Sequence, residues 1–444
     1  MQKPKPNRIP YFYNTSNLPI HEHPLFPSAR LRISFTCDVC GEEDKAWRYI
    51  CHQCDFLIHA VCIALPRVIN SNRHDHRISF TDHLGAGYSK CGVCRQYMSQ
   101  YKGAYSCSVC QNFAVHPRCA FDAWDGIDYE GIPEITEDII APFKVVGDNL
   151  ICHFSHEKHP LKLHKEYVIH DEHKRCEACI HPVGFGSIYV CDECCFFLHE
   201  KCASLPMKKK SAFYFFPFTL DGVCEIIYCS FCGILSDGFK YTSYGGTNID
   251  VHCGSLSEPF VHDGHIHPLY FEENKGIYTC NGCRRMDLND FVFLRCDACD
   301  FYLCFRCASL PEKTWYRNDW HPLTLCWDGK ASDKNWCDIC ERELDLSEWF
   351  YVCSECGVTL HAQCVLGDFS RLMPGKIHYI GDEENNQIEV VLNNHNTRPL
   401  CSQCHSRCKF SVILKDFHEE NKYICSYLCL IRYFGLKFPR LRHV

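Results

Sequence analysis

The sequence predicts a tandem array of small α+β modules, each made of two short β-hairpins and a short C-terminal helix. Three observations predict it. The 444 residues contain 38 cysteines and 27 histidines. The cysteines recur in one order, C-x2-C, C-x2-C, then His-x2-Cys. Histidines followed by Pro-Leu stand ahead of several of those cores. Cysteine at this density marks either a disulfide scaffold or a metal protein. The histidines favour metal, because zinc takes thiolate sulfur and imidazole nitrogen together.

The repeats justify the modules in chain order. After an N-terminal extension (1–20), a first module over 21–66 offers His21, His23, Cys37, Cys40, Cys51, Cys54, His59 and Cys62 as donors. A second, over 74–121, offers His74, His76, Cys91, Cys94, Cys107, Cys110, His116 and Cys119. Residues 122–150 carry acidic side chains with Gly and Pro, and read as a linker. The third module, 153–206, repeats the set with His156, His159, Cys176, Cys179, Cys191, Cys194, His199 and Cys202. The fifth, 262–311, has His265, His267, Cys280, Cys283, Cys296, Cys299, Cys304 and Cys307. Cys304 stands there where the other copies have histidine, an exchange that metal ligation tolerates and packing does not. The sixth, 320–366, has His321, Cys337, Cys340, Cys353, Cys356, His361 and Cys364, and its upstream set lacks a fourth donor. Cys326 and His378 are the candidates for that place.

Two segments depart from the pattern. The fourth module, 213–259, is degenerate: YTSYGGTN replaces the second C-x2-C, leaving Cys229, Cys232, Asp250 and Cys253. A connector (367–396), with a strand expected at IEVVL, leads to a terminal segment (397–444). There Cys401, Cys404, Cys425 and Cys429 suggest a separate, treble-clef-like zinc knuckle. An apolar frame accompanies the ligands. Tyr49, Tyr105, Tyr189 and Tyr351 lie two residues before a third cysteine, and Leu-Pro follows some last cysteines, where the proline ends a helical turn.

Two C-x2-C turns can complete a tetrahedron around one ion, so eight donors per full module make two closed sites. Closed coordination is structural, whereas catalytic zinc keeps an open position. A unit of about 45 residues buries too little apolar surface to fold unaided, and a structural zinc supplies about 10–16 kcal/mol of coupled folding free energy. The expectation is therefore small zinc-stabilised α+β modules carrying about eleven structural Zn2+ ions.

The order HPL…CxxC…CxxC…HxxC, from His21 to Cys364, resembles the plant cysteine/histidine-rich divergent C1 domain family. These are relatives of the zinc modules that bind diacylglycerol and phorbol esters. The segment VLNN…RPLCSQCHSRC…YICSYLC is similar to the C-terminal region of such proteins. The resemblance implies interleaved sites: Cys37, Cys40, His59 and Cys62 on one ion, Cys51, Cys54 and the upstream histidines on the other. It does not carry lipid binding over, because the spacer between the two C-x2-C pairs is shorter here.

The remaining features bound the function. No apolar run is long enough to cross a membrane, and no apolar signal core opens the chain. The reducing cytoplasm or nucleus is the expected compartment. A net charge of −8 argues against broad attraction to nucleic acid, leaving Lys208–Lys210 and the tail LKFPRLRHV as local basic stretches. Thiol–disulfide exchange needs a low-pKa thiolate, commonly in a thioredoxin-like βαβ setting that is not found around these motifs. The expected role is a non-catalytic, multivalent scaffold in intracellular signalling with protein partners. A nucleic-acid-binding regulator is the alternative, and a diacylglycerol- or lipid-sensing protein the third reading.

Overall fold

The computed structural model describes residues 21–436 apart from short internal segments, the longest being 29–33, 122–125, 133–140, 166–172, 287–291, 330–335 and 382–385. The N-terminal extension, the tail from residue 437 and Cys224 lie outside the described residues. The chain forms two units, one of Met1–Asp138 with Lys210–Pro217, the other of Ile139–Lys209 with Phe218–Val444.

Each repeat is a small antiparallel sheet closed by a helical turn. In the third, His156–His164, Ile188–Val190 and Phe197–His199 pair in register, with Tyr189 opposite both Leu163 and Leu198. Side chains alternate across such a strand. In Phe218–Asp221 of the fourth repeat this buries Phe218 and Leu220 and leaves Thr219 exposed. The closing helices, such as Glu200–Ala203 and Phe305–Ala308, are a single turn. That is far below the length at which a helix stands alone, so they depend on the cysteines they carry.

The repeats associate in pairs, and the same contacts recur in each pair. Tyr105 of the second repeat donates its hydroxyl to the carbonyl of Pro66, which ends the first (2.7 Å). Tyr241 of the fourth does so to Pro206 of the third (2.9 Å), and Tyr351 of the sixth to Pro311 of the fifth (2.7 Å). Just beyond each of those prolines the chain crosses over. Val68–Ile69, Lys208–Lys209 and Lys313–Thr314 become the edge strand of the next repeat's sheet. The residue two before each tyrosine meets the first C-x2-C turn of the partner. Phe239 N–H donates to Ala178 O (3.0 Å) and Trp349 N–H to Gly282 O (2.7 Å). At the equivalent Gly103 a Cβ would crowd the carbonyl of Val39. The folding unit is therefore a doublet.

In the second unit, residues expected to connect are packed instead. Ile377–Tyr379 and Gln387–Leu392 form half of the four-stranded terminal sheet, with Val412–Asp416 and Tyr423–Ile424. Phe369, Leu372, Ile388 and Val390 share a core with Leu235 of the fourth repeat. Asp237 accepts from Met373 N–H (2.9 Å) and pairs with His378 Nε2 (2.8 Å), both side chains buried.

Two further expectations change. The stretch 122–150 is not wholly a linker. Phe143–Gly147 and Leu150–His153 extend the third repeat's sheet, and Asp128 accepts from the backbone of Arg67 and Val68. The basic run 208–210 is not a free patch: Lys209 Nζ bonds the carbonyls of Gly254 and Leu256, and Lys210 Nζ bonds Asn70 (2.9 Å). Trp349 is buried and stacks on His262 (centroids 4.6 Å).

Candidate metal centres

The C-x2-C turn presents both sulfurs to one side because its backbone closes on itself. Gly41 N–H donates to Cys37 O (2.9 Å) and Cys37 N–H to Glu42 O (3.0 Å). The same two bonds recur at Cys176 with Ile180 and His181, and at Cys280 with Arg284 and Arg285. In the later pairs a backbone N–H two or three residues after the first cysteine donates to its sulfur: Gln53 to Cys51 (3.3 Å), Cys110 to Cys107 (3.2 Å), Ala298 to Cys296 (3.3 Å) and Cys356 to Cys353 (3.3 Å).

A tetrahedral zinc with Zn–S about 2.3 Å and Zn–N about 2.0 Å requires donors about 3.3–3.8 Å apart. The structure meets that requirement at the HxxC end of each full repeat. Cys37, Cys40, His59 and Cys62 form one cluster, with Sγ of Cys40 and Cys62 at 3.3 and 3.8 Å from His59 Nδ1. Cys91, Cys94, His116 and Cys119 form the next, with Cys94 at 3.3 Å from His116 Nδ1. Cys179 and Cys202 lie 3.3 and 3.9 Å from His199 Nδ1, beside Cys176. Cys340 and Cys364 lie 3.3 and 3.8 Å from His361 Nδ1, beside Cys337. In the fifth repeat Cys283 and Cys304 are 3.9 Å apart, and Cys280 contacts Cys283, Cys304 and Cys307. Cys304 thus stands in the histidine's place in space as well as in sequence.

The upstream histidines meet the second C-x2-C. Cys54 Sγ is 3.3 Å from His21 Nε2 and 3.8 Å from His23 Nδ1, with Cys51 in the same cluster. Cys110 is 3.4 Å from His76 Nδ1, grouped with His74 and Cys107. Cys194 is 3.3 Å from His156 Nε2 and 3.7 Å from His159 Nδ1, with Cys191 at 3.2 Å. Cys299 is 3.5 Å from His265 Nε2 and 3.7 Å from His267 Nδ1, with Cys296 at 3.5 Å. A ring just beyond the C-x2-C orients the first histidine of each set. Phe56 stacks on His21, Phe113 on His74, Phe196 on His156 and Phe301 on His265, with centroids 4.2, 3.8, 4.3 and 4.0 Å apart. Sequence reasoning had passed over these phenylalanines.

The sixth repeat corrects the expectation for its open place. Asp319 supplies the fourth donor: its Oδ1 is 3.4 Å from Cys356 Sγ, which is 3.1 Å from His321 Nδ1, and its carboxylate also contacts Cys353. Neither candidate reaches the cluster. Cys326 Sγ faces Asp328 (3.3 Å), and His378 is committed to Asp237.

In the fourth repeat Cys229, Cys232 and Cys253 contact one another, and Asp250 Oδ2 lies 3.3 Å from Cys232 Sγ. Burial works against the Asp250 carboxylate, but the Arg371 guanidinium at 2.6 Å holds it ionised, well below the usual carboxylate range. His252 turns away, its Nε2 bonded to Cys179 O (2.7 Å), and burial lowers it to about 4. At the terminus Cys404 is 3.6 Å from Cys425, which is 3.8 Å from Cys429, and Cys401 contacts both Cys404 and Cys425. Cys408 is buried beside Cys425.

Without an ion, the two histidine types differ. Contacts with Cys37 and Cys40 raise His59 to about 10, and Cys91 and Cys94 raise His116 to about 10. Those imidazoles hold a proton against the neighbouring sulfurs, and zinc binding would release it. Burial, with His76 beside it, lowers His74 to about 4, and burial also lowers His21, His156 and His265. His21, His74, His156 and His265 are thereby shifted toward the neutral form that a metal requires. None of the described cysteines forms a disulfide. The donor sets, their spacing and their reduced thiols fit structural zinc.

The C1 domain family model matches residues 19–63, 72–120, 154–203, 263–308 and 316–365, together more than half of the chain. A model of the C1 domain-like C-terminal region matches residues 388–430. No curated protein and no solved structure gave a match.

Proposed function

The chain belongs to the C1 domain family, and from that premise we propose that it is a non-catalytic scaffold whose repeated zinc-binding domains present docking surfaces to protein partners. One observation carries the reading: each donor cluster described above supplies four protein ligands, which leaves no coordination position for water or substrate. With Asp319 completing the last repeat, the expected load becomes about twelve ions, two in each full repeat and one each in the fourth repeat and the knuckle.

The docking surface with the most definite chemistry lies in the second unit. A cleft of about 540 Å³ is walled by the fifth and sixth repeats, the segment after the sixth and the terminal knuckle. It is lined by Arg285, Arg306, Arg342, Arg407 and Lys409 against Glu343 and Glu348. In a chain of net charge −8, that local excess of cations suits an acidic protein segment. Tandem modules on one chain add avidity when more than one engages the same partner.

Charge reversal tests this. The full zinc-loaded chain is compared with Arg285→Glu/Arg342→Glu for retention of acidic protein ligands, with ion content read by native mass spectrometry. Loss of binding at unchanged ion content supports the scaffold. Unchanged binding with fewer ions means that the arginines serve only to offset the thiolate charge. Retention of nucleic acid that falls steeply with salt supports the regulator reading instead. Retention on vesicles only when they contain diacylglycerol supports the lipid reading.

A further inference from the structure

The fourth repeat lies outside the stretches that the C1 domain model matches, yet it keeps the metal-site scaffold of its neighbours. The first turn is intact, with Gly233 N–H on Cys229 O (2.9 Å) and Cys229 N–H on Ile234 O (3.0 Å). In full repeats the backbone N–H at the histidine position donates to the first sulfur: His199 to Cys176 at 3.5 Å, Cys304 to Cys280 at 3.3 Å. Asp250 N–H does the same to Cys229 at 3.4 Å. Its Oδ1 accepts from Cys253 N–H (2.8 Å), and its Oδ2 is the oxygen turned toward the sulfurs, 3.3 Å from Cys232 Sγ. That separation is a tetrahedral edge.

The chemistry then turns on charge. Three thiolates, a neutral histidine and Zn2+ sum to one negative charge. Replacing the histidine by aspartate adds another, and this site is buried: Asp250 is 0 % exposed, Cys229 0 % and Cys253 2 %. A second negative charge without a partner is expensive in such a place. The structure supplies one positive charge there, on Arg371. Nη1 donates to Asp250 Oδ2 (2.6 Å) and Cys232 Sγ (3.2 Å), and Nη2 to Ser309 Oγ (2.7 Å) of the fifth repeat. The guanidinium thus bonds the one oxygen and one of the three sulfurs of the donor set.

We propose that Cys229, Cys232, Asp250 and Cys253 bind a zinc-class divalent ion, and that Arg371 is the outer-sphere counter-charge that lets aspartate stand in for histidine. The site is thereby a clamp. Its donors come from the fourth repeat, its counter-charge from the segment after the sixth, and its second anchor from the fifth. Metal at this site and docking of Arg371 stabilise each other.

The test uses the full chain, loaded with zinc and counted by native mass spectrometry, with cobalt substitution to read thiolate ligation. Cys232→Ser should hold one ion fewer than the parent. Arg371→Met should release that same ion at about 10- to 100-fold lower chelator concentration, the range for removal of an outer-shell partner. Asp250→His/Arg371→Met restores the charge of a three-cysteine, one-histidine site, and should regain the ion. That double variant separates charge balance from simple misfolding of the single variant. An unchanged ion count in Cys232→Ser overturns the site. Failure of the double variant to regain the ion, while it remains folded, overturns the counter-charge.

Discussion

The third and fourth repeats are partners in one doublet and solve the same turn differently. In the third, Cys191 N–H closes the second hairpin on Phe196 O (3.1 Å), and the turn carries Cys191 and Cys194 facing His156 and His159. In the fourth, Ser243 stands where Cys191 does and closes on Thr247 O (3.0 Å), with Gly246 at φ 77° completing a turn that has no metal ligand. The glycine is needed because that backbone conformation strains other residues. The fourth repeat gave up its outer site, which in its partner is exposed at Cys194, and kept its buried one. What an ion does for the third repeat, its neighbours do for the fourth: Arg371, His378 and the shared core around Leu235. A repeat is free-standing to the extent that it keeps both metals. One that keeps a single metal becomes a joint.

The comparison breaks most severely on removal of zinc. Strong chelation should unfold the full repeats, each of which depends on about 10–16 kcal/mol of metal-coupled folding. The circular dichroism of the chain should collapse, and limited proteolysis should cut first at the outer turns of the full repeats. Residues of the fourth repeat and the terminal sheet should resist longest. Simultaneous cleavage across the second unit would show that the joint is no more robust than its neighbours.

A smaller effect is expected from the ion pair at that joint. Arg371→Met leaves a buried carboxylate without its partner, a loss of about 3–5 kcal/mol. Asp237→Asn weakens the second tie, to His378, and should cost less, about 1–3 kcal/mol. Denaturant unfolding monitored by tryptophan fluorescence would rank them. Equal midpoints for the two variants and the parent would mean that the fourth repeat stands by itself.

Within the doublets, Tyr105→Phe, Tyr241→Phe and Tyr351→Phe each remove one hydrogen bond to a proline carbonyl and leave the ring packed. The expected cost is about 0.5–1.5 kcal/mol apiece, similar in all three if the doublet is the unit. A loss confined to Tyr241→Phe would make the pairing peculiar to the degenerate repeat.

Most of the ligand sets were legible because metal coordination writes itself in local spacing. Cys304 in the histidine's place was the clearest sign. The doublet was legible too, and went unread. Leu-Pro follows the last cysteine only in the first, third and fifth repeats, at Pro66, Pro206 and Pro311, and each of those carbonyls is a tyrosine's acceptor. Arg371 was not legible: 121 residues separate it from Asp250, and no periodicity links an arginine in a connector to an aspartate in a degenerate motif. The strands at 143–147 and 377–379 were hidden for a different reason. Short edge strands take their form from the sheet they join, and the flanking Gly, Asp and Glu masked them.

Asp319 had a signal of its own, and it gives the smallest and most specific test. DWHPL at 319–323 keeps the register of HIHPL at 265–269, with Asp319 at the place of His265 and His321 at that of His267. Carboxylate oxygen is a legitimate zinc ligand, but this set lacks the stacking ring that steadies the first histidine elsewhere: Val358 occupies the position of Phe301. Asp319 is instead fixed by accepting from His321 N–H (3.0 Å). Asp319→Ala should release one ion from the full chain at lower chelator concentration without unfolding the HxxC end of the repeat, where His361 and Cys340 are independent of it. Asp319→His restores the two-cysteine, two-histidine set of the other full repeats and should retain the ion. If Asp319→Ala keeps its full complement of ions, the carboxylate is only a hydrogen-bond partner of Cys356, and the last repeat resembles the fourth in having a single site.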